Sequence, residues 1–172
     1  MSSCLLTAGV TKQCAHEFGG LKEMYIGNFS EVTAAGIDTD GQITGFTMST
    51  GATFYTFEYV KDTGQALEEL QENGPSSFIQ QTVNLQLNGI TQAKRDVLNE
   101  LSLGTFVVIV KKADDNYWVF GRPEESIGLE SVTSTIDSGA ATGDAAGATL
   151  SLVGPSTAYA RTASAASVAA VI

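Results

Sequence analysis

The sequence predicts a mainly β fold, an antiparallel β-sandwich or barrel carrying one α-helix. Three observations point there. Short stretches in which apolar and polar residues alternate recur along the chain, and a period of two belongs to strands with one buried face. Only one stretch has strong helical spacing behind a capping residue. Strand follows strand across short turns, without the alternating helices of a doubly wound sheet. The chain has 172 residues, enough for one domain with its own core.

Taken in order, residues 1–20 are expected to form an N-terminal arm, ending in Phe18-Gly19-Gly20, where two glycines free the backbone. A domain over 21–154 follows, and 155–172 would be a C-terminal arm. Residues 21–28 (LKEMYIGN) predict the first strand. Asp40-Gly41 supplies turn chemistry, and 43–49 predicts a strand. In 53–60, Tyr55, Phe57 and Tyr59 share one face while Thr56 and Glu58 share the other, as in a half-buried strand.

The pattern breaks at residues 61–77 (KDTGQALEELQENGPSS), which are polar and acidic and contain Gly64, Gly74 and Pro75. They predict a long loop, within which 65–73 could form a short helix. Loops of this size in compact domains usually serve a function.

Next, Ile79, Val83, Leu85 and Leu87 alternate with Gln80, Thr82, Asn84 and Gln86. One face is core, and the other carries only amides and hydroxyls. A strand face open to bulk water normally includes some Lys or Glu. A face without charge suits packing on another sheet or lining a channel, beside the plainer reading of an ordinary exposed face.

Thr91 caps a helix over 91–103. Ile90, Val97, Leu98 and Leu101 form its apolar stripe, Lys94, Arg95 and Glu100 lie outside, and Gly104 stands where a C′ glycine is expected. Residues 105–112 (TFVVIVKK) read as a buried strand, 113–116 as a turn and 117–121 as the returning strand of a hairpin. A turn at 122–126, a strand at 127–136, a loop of small residues from 137 and a last strand over 148–154 complete the domain, giving eight strands. The Ala/Ser/Thr-rich tail has Arg161 as its only charge.

Nine basic against 19 acidic residues give a net charge of −10. That excludes a phosphate-backbone binder, which needs clustered Lys and Arg, and suits a surface that leaves nucleic acid unattached. No apolar run approaches the length of a membrane span. The N-terminus lacks the basic region of a secretion signal. Cys4 and Cys14 are expected as two free thiols rather than one disulfide.

The inventory of chemistry is thin. His16 is the only histidine, so Ser-His-Asp and Cys-His catalysis lack a base beside any nucleophile except in Cys14-Ala15-His16, on the arm. Two Cys and one His fall short of a four-ligand zinc site. Glu68, Glu69 and Glu72 read as solvated charge. Asp38 to Gly41 reads as a β-turn, since the further ligands of a calcium loop are missing. No phosphate-binding glycine motif is present. Trp118, between Tyr117 and Phe120, reads as core rather than as a sugar-stacking platform. No catalytic, cofactor-binding or metal-binding residue is expected, and no enzyme activity.

The order of parts resembles the tail tube family of tailed bacteriophages and related tail proteins. An aromatic strand (FYTFEYVK) leads into a polar segment. A long strand (FIQQTVNLQL) leads into a helix with KRDVLNEL, and VIVKKADDNYWVFG and SGAATGDAAGATLSLVG follow. The resemblance is one of segment order over 21–154, closest over 53–154; the helix followed by the 108–121 hairpin is its most specific part, and the Ala/Ser-rich tail lies outside it. It implies a virion structural protein assembled in the host cytoplasm. Hexameric rings of this subunit would stack into a tube that conducts DNA as non-sticking cargo. It further implies partners among identical copies and other virion proteins, no membrane, and polar faces of 53–60 and 79–87 turned to the lumen or its sheet-packing side. The 61–77 loop would reach the adjacent ring, and both arms would lap over neighbours. Two other functions fit the same residues: a capsid decoration, auxiliary or neck protein, and a carbohydrate-binding β-sandwich module using Tyr117 and Trp118.

Overall fold

A computed structural model describes residues 8–12, 18–142, 144 and 146–172. Cys4, Cys14 and His16, with the thiol expectation that rests on them, lie outside the described residues.

The strands are β1 (Leu21–Asn28), β2 (Val32–Ile37), β3 (Ile43–Met48), β4 (Tyr55–Thr56), β5 (Gln65–Asn73), β6 (Ser76–Asn88), β7 (Phe106–Lys112), β8 (Tyr117–Phe120), β9 (Ser131–Asp137), β10 (Gly147–Ser156) and β11 (Arg161–Ala163). Two helices accompany them, α1 (Gln92–Leu101) and α2 (Ala165–Ala169), with a 3-10 turn at Phe29–Glu31. The larger sheet has seven strands in the order β2-β3-β11-β8-β7-β1-β4, and the smaller has four, β5-β6-β10-β9. Each sheet ends in two free edges, so the fold is a mainly β sandwich and not a closed barrel.

Two apolar layers hold it together. Met24, Ile26, Val108, Val110 and Phe120 of the larger sheet meet Val83, Leu85, Leu87, Leu150 and Leu152 of the smaller, with Leu98 and Leu101 of α1 joining them. Val107, Ile109, Val119 and Tyr25 point the other way, into a second cluster with Ile43, Phe54 and Val168. β7 is therefore buried on both faces, which accounts for its unbroken apolar run.

Helix α1 begins where its cap predicts, with the Thr91 side chain accepting the Lys94 N–H. Its end differs from expectation. The helix stops at Leu101, the cap residue Ser102 is right-handed, and Gly104 has no positive φ. Gly104 is small for another reason: a Cβ there would lie 2.3 Å from the Phe106 ring. Val97 is largely exposed, and the buried stripe comes down to Leu98 and Leu101.

Four expectations are corrected. First, 61–77 is not a loop, and 65–73 is not a helix. Gln65 through Asn73 pair in unbroken antiparallel register with Asn84 through Ser76. The segment reads as loop because it is an edge strand that runs past its covering neighbours: β10 pairs β6 only as far as Ile79. The hairpin turns on Gly74, at φ +64°, and Pro75. Proline cannot follow with a positive φ, so the turn has type II′ character.

Second, 155–172 is not a free arm. β10 runs through to Ser156, β11 is inserted between β3 and β8, and α2 buries Ser167 and Val168. Val168 is 1% exposed. The Val171 carbonyl accepts the Phe54 N–H and the Thr53 hydroxyl. Ser164 caps α2 by accepting the Ser167 N–H, so the polar tail encodes a helix start that its composition hides.

Third, the facing in 53–60 is different. Phe54 is 3% exposed while Tyr55 is 59% exposed, and only Tyr55–Thr56 pair with β1. This segment belongs to the rim of the larger sheet, not to the smaller one. Fourth, three strands beyond the expected eight appear: β2, β5 and β11. Residues 8–12 and 18–20 of the N-terminal arm are exposed.

Candidate functional site

The smaller sheet offers two open edges and an outer face turned away from the core. β5 and β9 are its outermost strands, so each offers a row of backbone N–H and C=O groups with no partner on its outer side. β9 carries no charge until Asp137. Neither strand contains proline or lysine, the residues that commonly block edge pairing. Adjacent strands are all antiparallel, so β5 and β9 run in opposite directions.

The sheet's inner face is fixed by the core leucines and valines, and register then assigns the outer face. Gln65, Asn84, Ser151 and Thr133 stand side by side across four strands, with Gln86, Thr149 and Thr135 in the next row. The polar face expected for β6 is thus present and crosses all four strands in these rows, with Leu67 and Val153 beside Thr82 as its apolar members. A shallow depression of about 320 Å³ lies in it, lined by Thr63, Asn84, Gln86, Thr149 and Thr133 among others.

Beyond Ile79 the β5–β6 hairpin continues as a two-stranded projection. Leu70 is exposed at its base, and Glu69 and Glu72 flank it. The three glutamates of this strand do not converge. Glu68 points inward, where its Oε1 accepts the Gln81 amide at 3.1 Å and the Ala160 N–H at 2.6 Å. Glu69 lies on the outer face opposite Gln80.

A charged junction fastens the C-terminal segment. Arg122 is 4% exposed and pairs with Glu125, with the Glu124 carboxylate 3.6 Å away. Glu125 also accepts two bonds from Arg161, at 3.0 and 2.8 Å. Arg161 in turn donates to the Gly41 carbonyl, and Glu124 accepts the Ala35 N–H. Burial pushes the Glu125 carboxyl up, but the two guanidiniums outweigh it and hold the group below the usual carboxylate range. Sequence reading missed this junction; Arg122 followed by two glutamates was its only local signal.

A second cluster joins Tyr25, Glu23 and Lys111. The Tyr25 hydroxyl donates to Glu23, and Lys111 pairs with the same carboxylate. Burial and the Glu23 bond push the Tyr25 phenol up to about 12, and Tyr25 holds Glu23 below its usual range. Beside it is an open cleft of about 610 Å³, lined by Lys22, Glu23, Phe57, Tyr59 and Lys61 among others. Its charged lining residues are Lys22, Glu23, Lys61 and Asp62.

Two local expectations are met, the 38–41 turn and the packing of Trp118 on the core. Asp38 accepts the Asp40 and Gln42 N–H groups, so 38–41 is a turn. Phe120 is fully buried, and Trp118 packs on the core beneath the Lys112 ammonium. No group of His, Cys, Asp and Glu that could hold a metal occurs among the described residues, and no helix among them is long and apolar enough to cross a membrane.

No family model, curated protein or solved structure matches the chain.

Proposed function

We propose that this chain is a virion structural protein, the subunit of a phage tail tube whose hexameric rings stack to form a DNA-conducting channel. The observation that carries the reading is the pair of open edges on the four-stranded sheet. Rotation about a ring axis keeps strand direction. β9 of one copy therefore meets β5 of the next antiparallel, the same relation that holds inside the sheet, and the ring closes without a mismatch.

The dimensions are compatible with the cargo. Six copies of four strands make about 24 strands, and at about 4.8 Å each they form a backbone circle roughly 37 Å across, wider with strand tilt. Subtracting about 5 Å of side chain on each side leaves a bore that admits a duplex. The larger sheet covers the outside of this circle, and the outer face of the smaller sheet turns inward. The β5–β6 projection leaves the ring along the tube direction, where it reaches an adjacent ring. The protein acts in the virion after assembly in the host cytoplasm, with identical copies and other virion proteins as its partners.

Negative-stain microscopy of the purified chain tests this. Rings or tubes about ten nanometres across are expected for six such domains around a pore. A species that stays monomeric at high concentration refutes the reading. Ser134→Pro, which removes an N–H on the open side of β9 rather than one paired with β10, is expected to leave the monomer folded and to abolish rings.

A further inference from the structure

The chain carries 28 charged residues, yet the outer face of the four-stranded sheet is nearly free of them. Register places only Glu69 and Asp137 there, at opposite ends, and no lysine or arginine. Between them lie Leu67, Thr82 and Val153 in one row, Asn84, Ser151 and Thr133 in the next, and Gln86, Thr149 and Thr135 beyond. The acidic excess sits elsewhere, as at Asp38 and Asp40 in the β2–β3 turn and Asp114 and Asp115 in the β7–β8 turn of the larger sheet. The net charge of −10 therefore says nothing about what this face presents.

We infer that this face is a neutral wall, mostly hydroxyls and amides with Leu67 and Val153 among them, past which a polyanion moves without being held or repelled. The inference rests on the tube reading, which places double-stranded DNA in front of it. A wall of lysines would bind phosphates and release counterions, with a steep dependence on salt. A wall of carboxylates would raise a repulsive potential that also changes with salt. Threonine, serine, asparagine and glutamine do neither. They hold water by hydrogen bonds that are exchanged for equivalent ones as the cargo passes. Transit through such a bore is insensitive to ionic strength, and the acids expected to keep the genome unattached are not needed on this surface.

The test uses the assembled full-length polymer and two variants. Ser151→Cys locates the face: a small maleimide should label the polymer while a maleimide carrying a large polymer chain should not, and both should label the monomer. Thr149→Lys places one positive charge per copy at the centre of the face. Co-sedimentation of a short fluorescent DNA duplex is then compared at low and moderate salt. Wild-type polymer should retain only background at both. The Thr149→Lys polymer should retain on the order of tenfold more at about 50 mM than at about 200 mM salt, and a Thr149→Ser polymer should match wild type. If the Ser151→Cys thiol stays open to the large reagent in every assembled form, the tube reading falls and this inference with it. If that thiol is shielded but wild-type polymer retains duplex at low salt, or the lysine variant retains no more than wild type, the neutral wall alone is overturned.

Discussion

The Gln81 side-chain oxygen accepts the Gly121 N–H at 2.9 Å, joining the two sheets by a hydrogen bond through the core. Gln81 is 2% exposed, and its amide nitrogen donates to Glu68, which also holds the Ala160 N–H. Three strands and the start of the C-terminal segment thus share one buried polar chain. Gln81→Leu leaves the Gly121 N–H without a partner, and the expected loss is about 2–3 kcal/mol in chemical denaturation. A change within a few tenths of a kcal/mol would mean that the bond does not matter to stability.

Glu125→Gln unpairs two guanidiniums, one of them buried, and is expected to cost on the order of 3 kcal/mol. The folded carboxyl lies below its unfolded value, so its stabilisation is complete above the ordinary carboxylate range. It is lost as pH falls through the depressed folded value. The acid limb of the stability curve, below about pH 4, should therefore be shallower in the variant. Parallel acid limbs would remove the junction from the acid response.

At the alkaline end the sign reverses. Tyr25 titrates at about 12 because of burial and then Glu23. Its contribution is full below the normal phenol value near 10 and is lost as pH rises toward 12. Ultraviolet titration should show a late-ionising phenol that Tyr25→Phe eliminates.

Removing residues 64–74 would destroy an edge strand, so a test of the projection has to be confined to its tip. Replacing 72–77 with a two-residue turn keeps the β5–β6 pairs that β10 supports. The expected result is a monomer of nearly unchanged stability whose rings do not stack, read by electron microscopy. Long tubes from the shortened variant would deny the projection a role between rings.

Gly121→Ala tests the sheet junction from the backbone side. Gly121 sits at φ +73°, and an added Cβ would meet the Phe106 carbonyl oxygen at 2.7 Å. Strain and collision together should cost roughly 3 kcal/mol.

What could be read in advance follows from how locally each element is determined. β1, β6, β7 and α1 carry their own patterns: alternation, an unbroken apolar run, a threonine cap. β5 does not, because an edge strand that outruns its sandwich has almost no dry face, and QALEELQEN then looks solvated. β2 is built largely from small residues (VTAAGI) and shows weak periodicity. β11 is three residues long and gains its place only from the strands on either side. Gln81 breaks the core side of an otherwise regular β6, and that break was visible as Gln80-Gln81. Its partners were not, since Gly121 and Glu68 come near only through register and sheet packing.

The position of β11 also governs when the protein can be finished. Within the larger sheet the β2–β3 hairpin, made early in synthesis, connects to β8 only through Arg161–Ala163, far downstream in the sequence. A ribosome must release the chain through Ala163 before that sheet can become continuous. Until then the nascent protein shows the exposed sides of β3 and β8 to its surroundings, so a chain stopped before Arg161 would be a half-joined, adhesive product.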